Sequence, residues 1–95
     1  MSDTLNETVT VPLSKPVTHG DQTFSELIFR EPTVGDLILG DQVGTGQLAR
    51  MSVILASISD VPLPAFKKIR ARDFSKIVSD TAGLLGNDKM NTTGD

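Results

Sequence analysis

The chain has 95 residues, enough for one domain and not for two. Its net charge of −3 argues against nucleic-acid and membrane-surface binders, which need a strong basic excess. It contains no cysteine, which excludes disulfides, zinc–thiolate sites and thiol catalysis and fits a reducing compartment.

Residues 1–7 are polar and are predicted to be disordered. With Asp3 and Glu7 and no apolar run, the first ten residues do not read as a signal peptide. Residues 8–13 alternate, with Val9, Val11 and Leu13 on one face, which predicts a β-strand. Pro12 cannot donate to a ladder, so this strand is expected at an edge, or to stop near Leu13. Residues 17–22 read as a turn, with Gly20 free to take positive φ. Residues 23–30 alternate again, with apolar groups on both faces, and are expected to form the better buried strand.

Pro32 keeps Glu31 extended, and Thr33 followed by Asp36 resembles a capping box with Asp in place of Glu. A first helix is predicted over 34–41, ended by Gly40 and the Gly44-Thr45-Gly46 stretch. A second is predicted over 47–59, with Leu48, Met51, Leu55 and Ile58 on one face and Val53, Ile54 and Ala56 elsewhere on the cylinder. Only Arg50 and Asp60 are charged between Gln42 and Phe66, and a helix apolar nearly all round is either central to the core or partly an interface. Pro62 and Pro64 break it, and residues 65–69 can form one further turn. The last helix is predicted over 71–85, where Phe74, Ile77, Val78, Thr81, Leu84 and Leu85 follow helical spacing up to Gly86. Residues 87–95 have no packing pattern and are predicted to be a disordered tail. The expected architecture is α+β: one domain over 8–86, an N-terminal two-stranded β-hairpin followed by three to four helices.

Nothing in the chain nominates a catalytic centre, a metal site or a cofactor. His19 is the only histidine and reads as a solvated turn residue. Gly44 and Gly46 follow a helix rather than a strand and do not form a phosphate loop. Glu26, Glu31, Asp36 and Asp41 are spread over different elements and read as cap and surface groups. Lys67, Lys68, Arg70, Arg72 and Lys76 form a basic cluster that reads as a solvated helix face or as an electrostatic docking edge for an acidic partner. The longest unbroken apolar stretch, 53–56, is too short to span a bilayer, and a soluble cytoplasmic protein is expected. What remains is apolar surface: Leu48, Met51, Ile54, Leu55 and Ile58 are the residues expected to contact a partner or a second copy, unless the whole helix is core.

The runs Val11-Pro12-Leu13-Ser14-Lys15-Pro16-Val17, His19 to Leu27 and Phe29-Arg30-Glu31-Pro32-Thr33-Val34-Gly35-Asp36-Leu37 together resemble the tail assembly chaperones of Mu-like and related contractile-tailed phages. The later part is similar too: an apolar helix, a break at Val61-Pro62-Leu63-Pro64, then Ile69-x-x-Arg72-Asp73-Phe74 opening the last helix. The glycines and sparse charge between Asp36 and the break depart from the acidic helices usual in that family. The resemblance implies a non-enzymatic protein of the bacterial host cytoplasm. It would bind the phage tape measure protein transiently, keep it soluble, leave as the tail tube polymerises and stay out of the virion. It also implies a frameshifted longer form of the same protein as a possible partner; self-association stays open. Under it Arg30, Glu31, Pro32, Thr33 and Asp36 form a structural motif. The rival expectation is a small phage or prophage regulator that binds nucleic acid through the basic 67–76 segment.

Overall fold

The computed structural model describes residues 8–86, so the expectations for 1–7 and 87–95 lie outside the described residues. The elements follow as β1 (Thr8–His19), β2 (Gln22–Arg30), α1 (Val34–Val43), α2 (Gln47–Ile58), α3 (Leu63–Phe66) and α4 (Ala71–Leu85). The α+β class, with a two-stranded antiparallel hairpin followed by four helices, is the architecture expected from the sequence.

The hairpin closes through Gly20-Asp21, with Gly20 at φ +61 in the position where primed turns demand positive φ. β1 runs six residues beyond the expected end at Leu13, through Pro12 and Pro16. A sheet of two strands has only edges, so a proline can sit where its missing N–H breaks no second ladder. The pairing is interrupted: Leu13, Ser14, Lys15 and Pro16 stand opposite Ser25 alone, between the Pro12–Glu26 and Val17–Phe24 pairs. Within this bulge the Ser14 amide donates to both carboxylate oxygens of Asp73, each at 3.1 Å, and the Ser14 hydroxyl donates to Oδ2 at 3.0 Å. Asp73 lies in the first turn of α4 and is buried, so a strand irregularity and a helix start satisfy each other.

The helices cover one face of the hairpin. Val11, Leu13 and Val17 of β1 and Leu27 and Phe29 of β2 meet Leu55, Ala56 and Ile58 of α2, Val61, Ala65 and Phe66 around α3, and Ile77 of α4. β2 is therefore not the better buried strand: its second face, with Glu26, Ile28 and Arg30, is exposed because no helix lies there. The Phe66 and Phe74 rings meet edge to face at 6.2 Å between centroids.

Gly40 does not end α1 as expected. It is buried inside the helix, where an added Cβ would lie 2.7 Å from Cγ1 of Ile54 and 3.1 Å from the Arg50 carbonyl. One turn later a Cβ on Gly44 would lie 2.5 Å from the Arg50 amide nitrogen and 2.6 Å from its Cα. These two glycines let the backbones of α1 and α2 approach more closely than any side chain would allow. Past Ile58 and the Ser59 cap, α2 is closed by Asp60, which takes φ +58, while Val61 donates to the Ala56 carbonyl at 3.0 Å and Asp60 to that of Ser57 at 3.3 Å. That is a Schellman closure before Pro62 is reached. α4 runs over the predicted span and stops at Gly86, φ +80.

Gly44→Ala must push backbone away from backbone, with no flexible side chain to yield. It is expected to cost about 1–3 kcal/mol in urea unfolding. Gly46→Ala, whose Cβ would meet nothing within 4 Å, is expected to stay within about 0.5 kcal/mol of the parent.

Candidate partner-binding surface

The surface is set by how α1 is held. Thr33 caps α1, and the capping box expected from Thr33 and Asp36 forms: the Thr33 amide donates to Oδ2 of Asp36 at 2.7 Å, and the Asp36 amide donates to Oγ1 of Thr33 at 3.4 Å. The same carboxylate takes a bidentate pair from Arg30 at the end of β2, Nη1 to Oδ2 at 2.9 Å and Nη2 to Oδ1 at 3.2 Å. From α2 the Ser57 hydroxyl donates to Oδ1 at 2.6 Å. Arg30 also donates to the carbonyls of Glu31 and Ser57. One buried acid thus joins strand, helix start and central helix. Glu31 and Pro32 supply the extended link between them, and the Glu31 residue is itself exposed.

Arg30 holds the Asp36 carboxyl well below the usual carboxylate range; burial opposes this, and the hydrogen bonds from Ser57 and Thr33 reinforce it. The Arg30 guanidinium is raised in turn, chiefly by its hydrogen bonds to Asp36.

With Asp36 and Gly40 as its buried residues, α1 packs on α2 without burying a large apolar side chain of its own. Val34, Leu37, Ile38, Leu39 and Val43 are consequently 40–69% exposed. Ile28 on the open face of β2 and Leu48 at the start of α2 are also exposed. This is a dense apolar surface for so small a domain. The residues expected from the sequence to meet a partner lie on α2, whereas the apolar side chains of α1 are the more exposed. The available signal was the four-residue spacing of Gly40 and Gly44, which marks the small face of the helix as its packing face and turns the larger residues outward.

Of the five residues expected to meet a partner, Leu48 is exposed and Met51 and Ile54 are half-buried. Leu55 and Ile58 are corrections: they are 0% and 2% exposed, because α2 is the central helix and this side of it faces the hairpin core. Ile54 lies against Gly40 of α1.

A neighbouring side of α2, which shares Ala56 with the core, lines an apolar groove. At one end, a hollow of about 220 Å³ lies between Leu39 and Val43 of α1, Val53, Ala56 and Ser57 of α2, and Val61 and Leu63. It continues past Ala49, Ser52 and Lys67, sharing Val43, Val53 and Leu63. It reaches a hollow of about 290 Å³ lined by Leu48, Phe66, Ile69, Ala71 and Phe74 and sharing Ser52 and Lys67. The floor is made of small residues, Ala49, Ser52 and Ala56, between larger walls.

Lys67, Lys68, Arg70 and Arg72 are exposed around the turn from α3 to α4. Lys68 and Arg70 line a separate hollow with Lys15 and Pro16 of the β1 bulge, and the Lys68 ammonium donates to the Thr18 carbonyl at 3.1 Å. Among the described residues no group of three or more His, Cys, Asp and Glu side chains is placed to hold a metal ion, and no helix is long and apolar enough to cross a membrane.

A small hairpin-and-helix protein with an unusually apolar helical exterior is the class this geometry defines. Residues 10–86 match the family described as phage tail assembly chaperone proteins, E, or 41 or 14, and the chain belongs to that family. The family is one of chaperones and not of enzymes, in line with the resemblance carried by the Arg30-Glu31-Pro32-Thr33 and Asp36 motif. No curated relative and no solved structure matches the chain.

Because the folded state lowers the Asp36 pKa, its contribution is complete above the unfolded value of about 4 and is lost as pH falls below it. Asp36→Asn is expected to cost about 2 kcal/mol near neutral pH, a figure kept low because Arg30 is half-exposed. Denaturation series from about pH 6 to pH 3 should show the parent and variant converging towards the acid end.

Proposed function

We propose that this protein binds the phage tape measure protein in the host cytoplasm, covers its apolar helical stripes and keeps it soluble. It is displaced as tube subunits polymerise and stays out of the virion. The observation that carries this reading is the outer face of α1, where Val34, Leu37 and Ile38 are about half exposed or more. A long helical partner with unmatched apolar stripes is the kind of chain such a face covers, by helix against helix or helix in groove. Membership of the tail assembly chaperone family supports the role. Catalysis has no part in it.

The chemistry also suits temporary binding. An apolar face of a few residues gives modest affinity per copy, and several copies along one long chain gain by avidity. Growth of a tube around the same stripes then replaces the chaperones one by one. Self-association and pairing with a frameshifted longer form belong to the same proposal, since an apolar face that fits a partner helix can also meet a second copy.

Co-expression tests the role. The tape measure protein is expected in the soluble fraction with the parent chain and in the pellet without it. The double variant Leu37→Asp, Ile38→Asp changes two exposed side chains, so its stability should stay within about 1 kcal/mol of the parent, while its solubilising effect is lost. Equal solubility of the tape measure protein with and without the chain ends the proposal.

A further inference from the structure

The groove beside α2 is electrically lopsided. Lys67 stands in its wall from the Leu48 hollow to the middle one, and the next residues turn alternately to two sides: Lys67 and Ile69 line the groove, while Lys68 and Arg70 line the hollow shared with Lys15. The three salt bridges among the described residues, Arg30–Asp36, Arg50–Asp41 and Lys76–Asp80, involve none of these cations. Asp73, the one acid in the 67–76 segment, is buried and directed to Ser14. Among the described residues this leaves a basic corner without a salt bridge beside the apolar groove, in a chain whose net charge is −3.

We propose that the groove takes an amphipathic helix from a protein partner whose apolar stripe is followed by carboxylates, the stripe lying over Ala49, Ser52 and Ala56 and the carboxylates meeting Lys67, with Arg70 adding positive charge from the adjoining hollow. The proposal rests on the reading that the partner is an apolar helical chain, and it adds which stretch of that chain is chosen. The groove follows α2 from Leu48 to Ser57, roughly 14 Å at helical rise, which accepts two to three turns of a partner helix. The small floor lets that helix sit close, and the apolar walls remove its stripe from water. Lys67 then sets register and direction, because carboxylates at the far end of the helix, beside Leu39, Ser57 and Val61, would meet no cation lining the groove. Nucleic acid is the poorer occupant: the groove is apolar along most of its length, and its aromatic rings, Phe66 and Phe74, are packed against each other rather than free to stack on bases.

The test uses the full chain and three synthetic helical peptides with one leucine stripe and differing only in the residues that follow it: glutamate, glutamine or lysine. Binding is read by fluorescence anisotropy at low salt and again near physiological salt. The glutamate peptide is expected to bind about tenfold or more tightly than the lysine peptide at low salt, with the gap narrowing as salt rises. The double variant Lys67→Glu, Arg70→Glu, checked for fold by circular dichroism, is expected to invert the order. Equal binding of the three peptides, no binding of any, or an order unchanged in the variant overturns the proposal. So does duplex DNA binding as tightly as the glutamate peptide and lost with the same two substitutions. The peptides contain no tape measure sequence, so this result and the co-expression result can fail independently.

Discussion

The Asp36 carboxylate accepts hydrogen bonds from three stretches of chain that are otherwise separate: Arg30 at the end of β2, Thr33 at the cap of α1 and Ser57 in α2. No other side chain in the described fold makes a junction of this kind. A buried acid is costly unless it is paired and hydrogen-bonded, and here its oxygens are filled from several directions. The junction fixes where the chain leaves the sheet and the angle at which α1 meets α2. Both features matter because α1 lacks the usual alternative means of attachment, an apolar stripe pressed into a core.

That division of labour explains the exposed surface. A helix held by a carboxylate at its start and by two close-packed glycines further on does not need its large side chains for folding. Leu37, Ile38 and Leu39 are left exposed. The core is supplied by the hairpin, α2, α3 and α4, and α1 is mounted on it as a separate apolar rib.

Much of the fold was legible where the signal is local. The span of α4 followed from a clean 3.6-residue period and a glycine stop, and the start of α1 from Thr33 and Asp36 at capping-box spacing. The hairpin turn followed from Gly20, but it is tighter than the expected 17–22, because Val17, Thr18 and His19 belong to β1 and pair with β2. The misreadings came from contacts between residues distant in the chain. β1 continues past Leu13 because a bulge absorbs Pro16 and because Asp73, 59 residues away, satisfies the Ser14 amide. Gly40 looked like a helix end and is a helix–helix contact, a difference that only the position of Ile54 reveals. Leu55 and Ile58 could not be told from surface residues by periodicity, since α2 is apolar on more than one side and only the packing decides which side meets the hairpin. The family was legible from the motif around Arg30 and Asp36, whose residues make the strand-to-helix junction.

If the outer face of α1 meets the proposed partner, its amides should report the contact. Amide hydrogen exchange of the full chain, alone and in complex with the tape measure protein, tests it most directly. Protection is expected to rise in residues 34–43 and along the facing side of α2, while the hairpin amides around Gly20 exchange as before. Unchanged exchange across α1, with new protection confined to the hairpin, would contradict it.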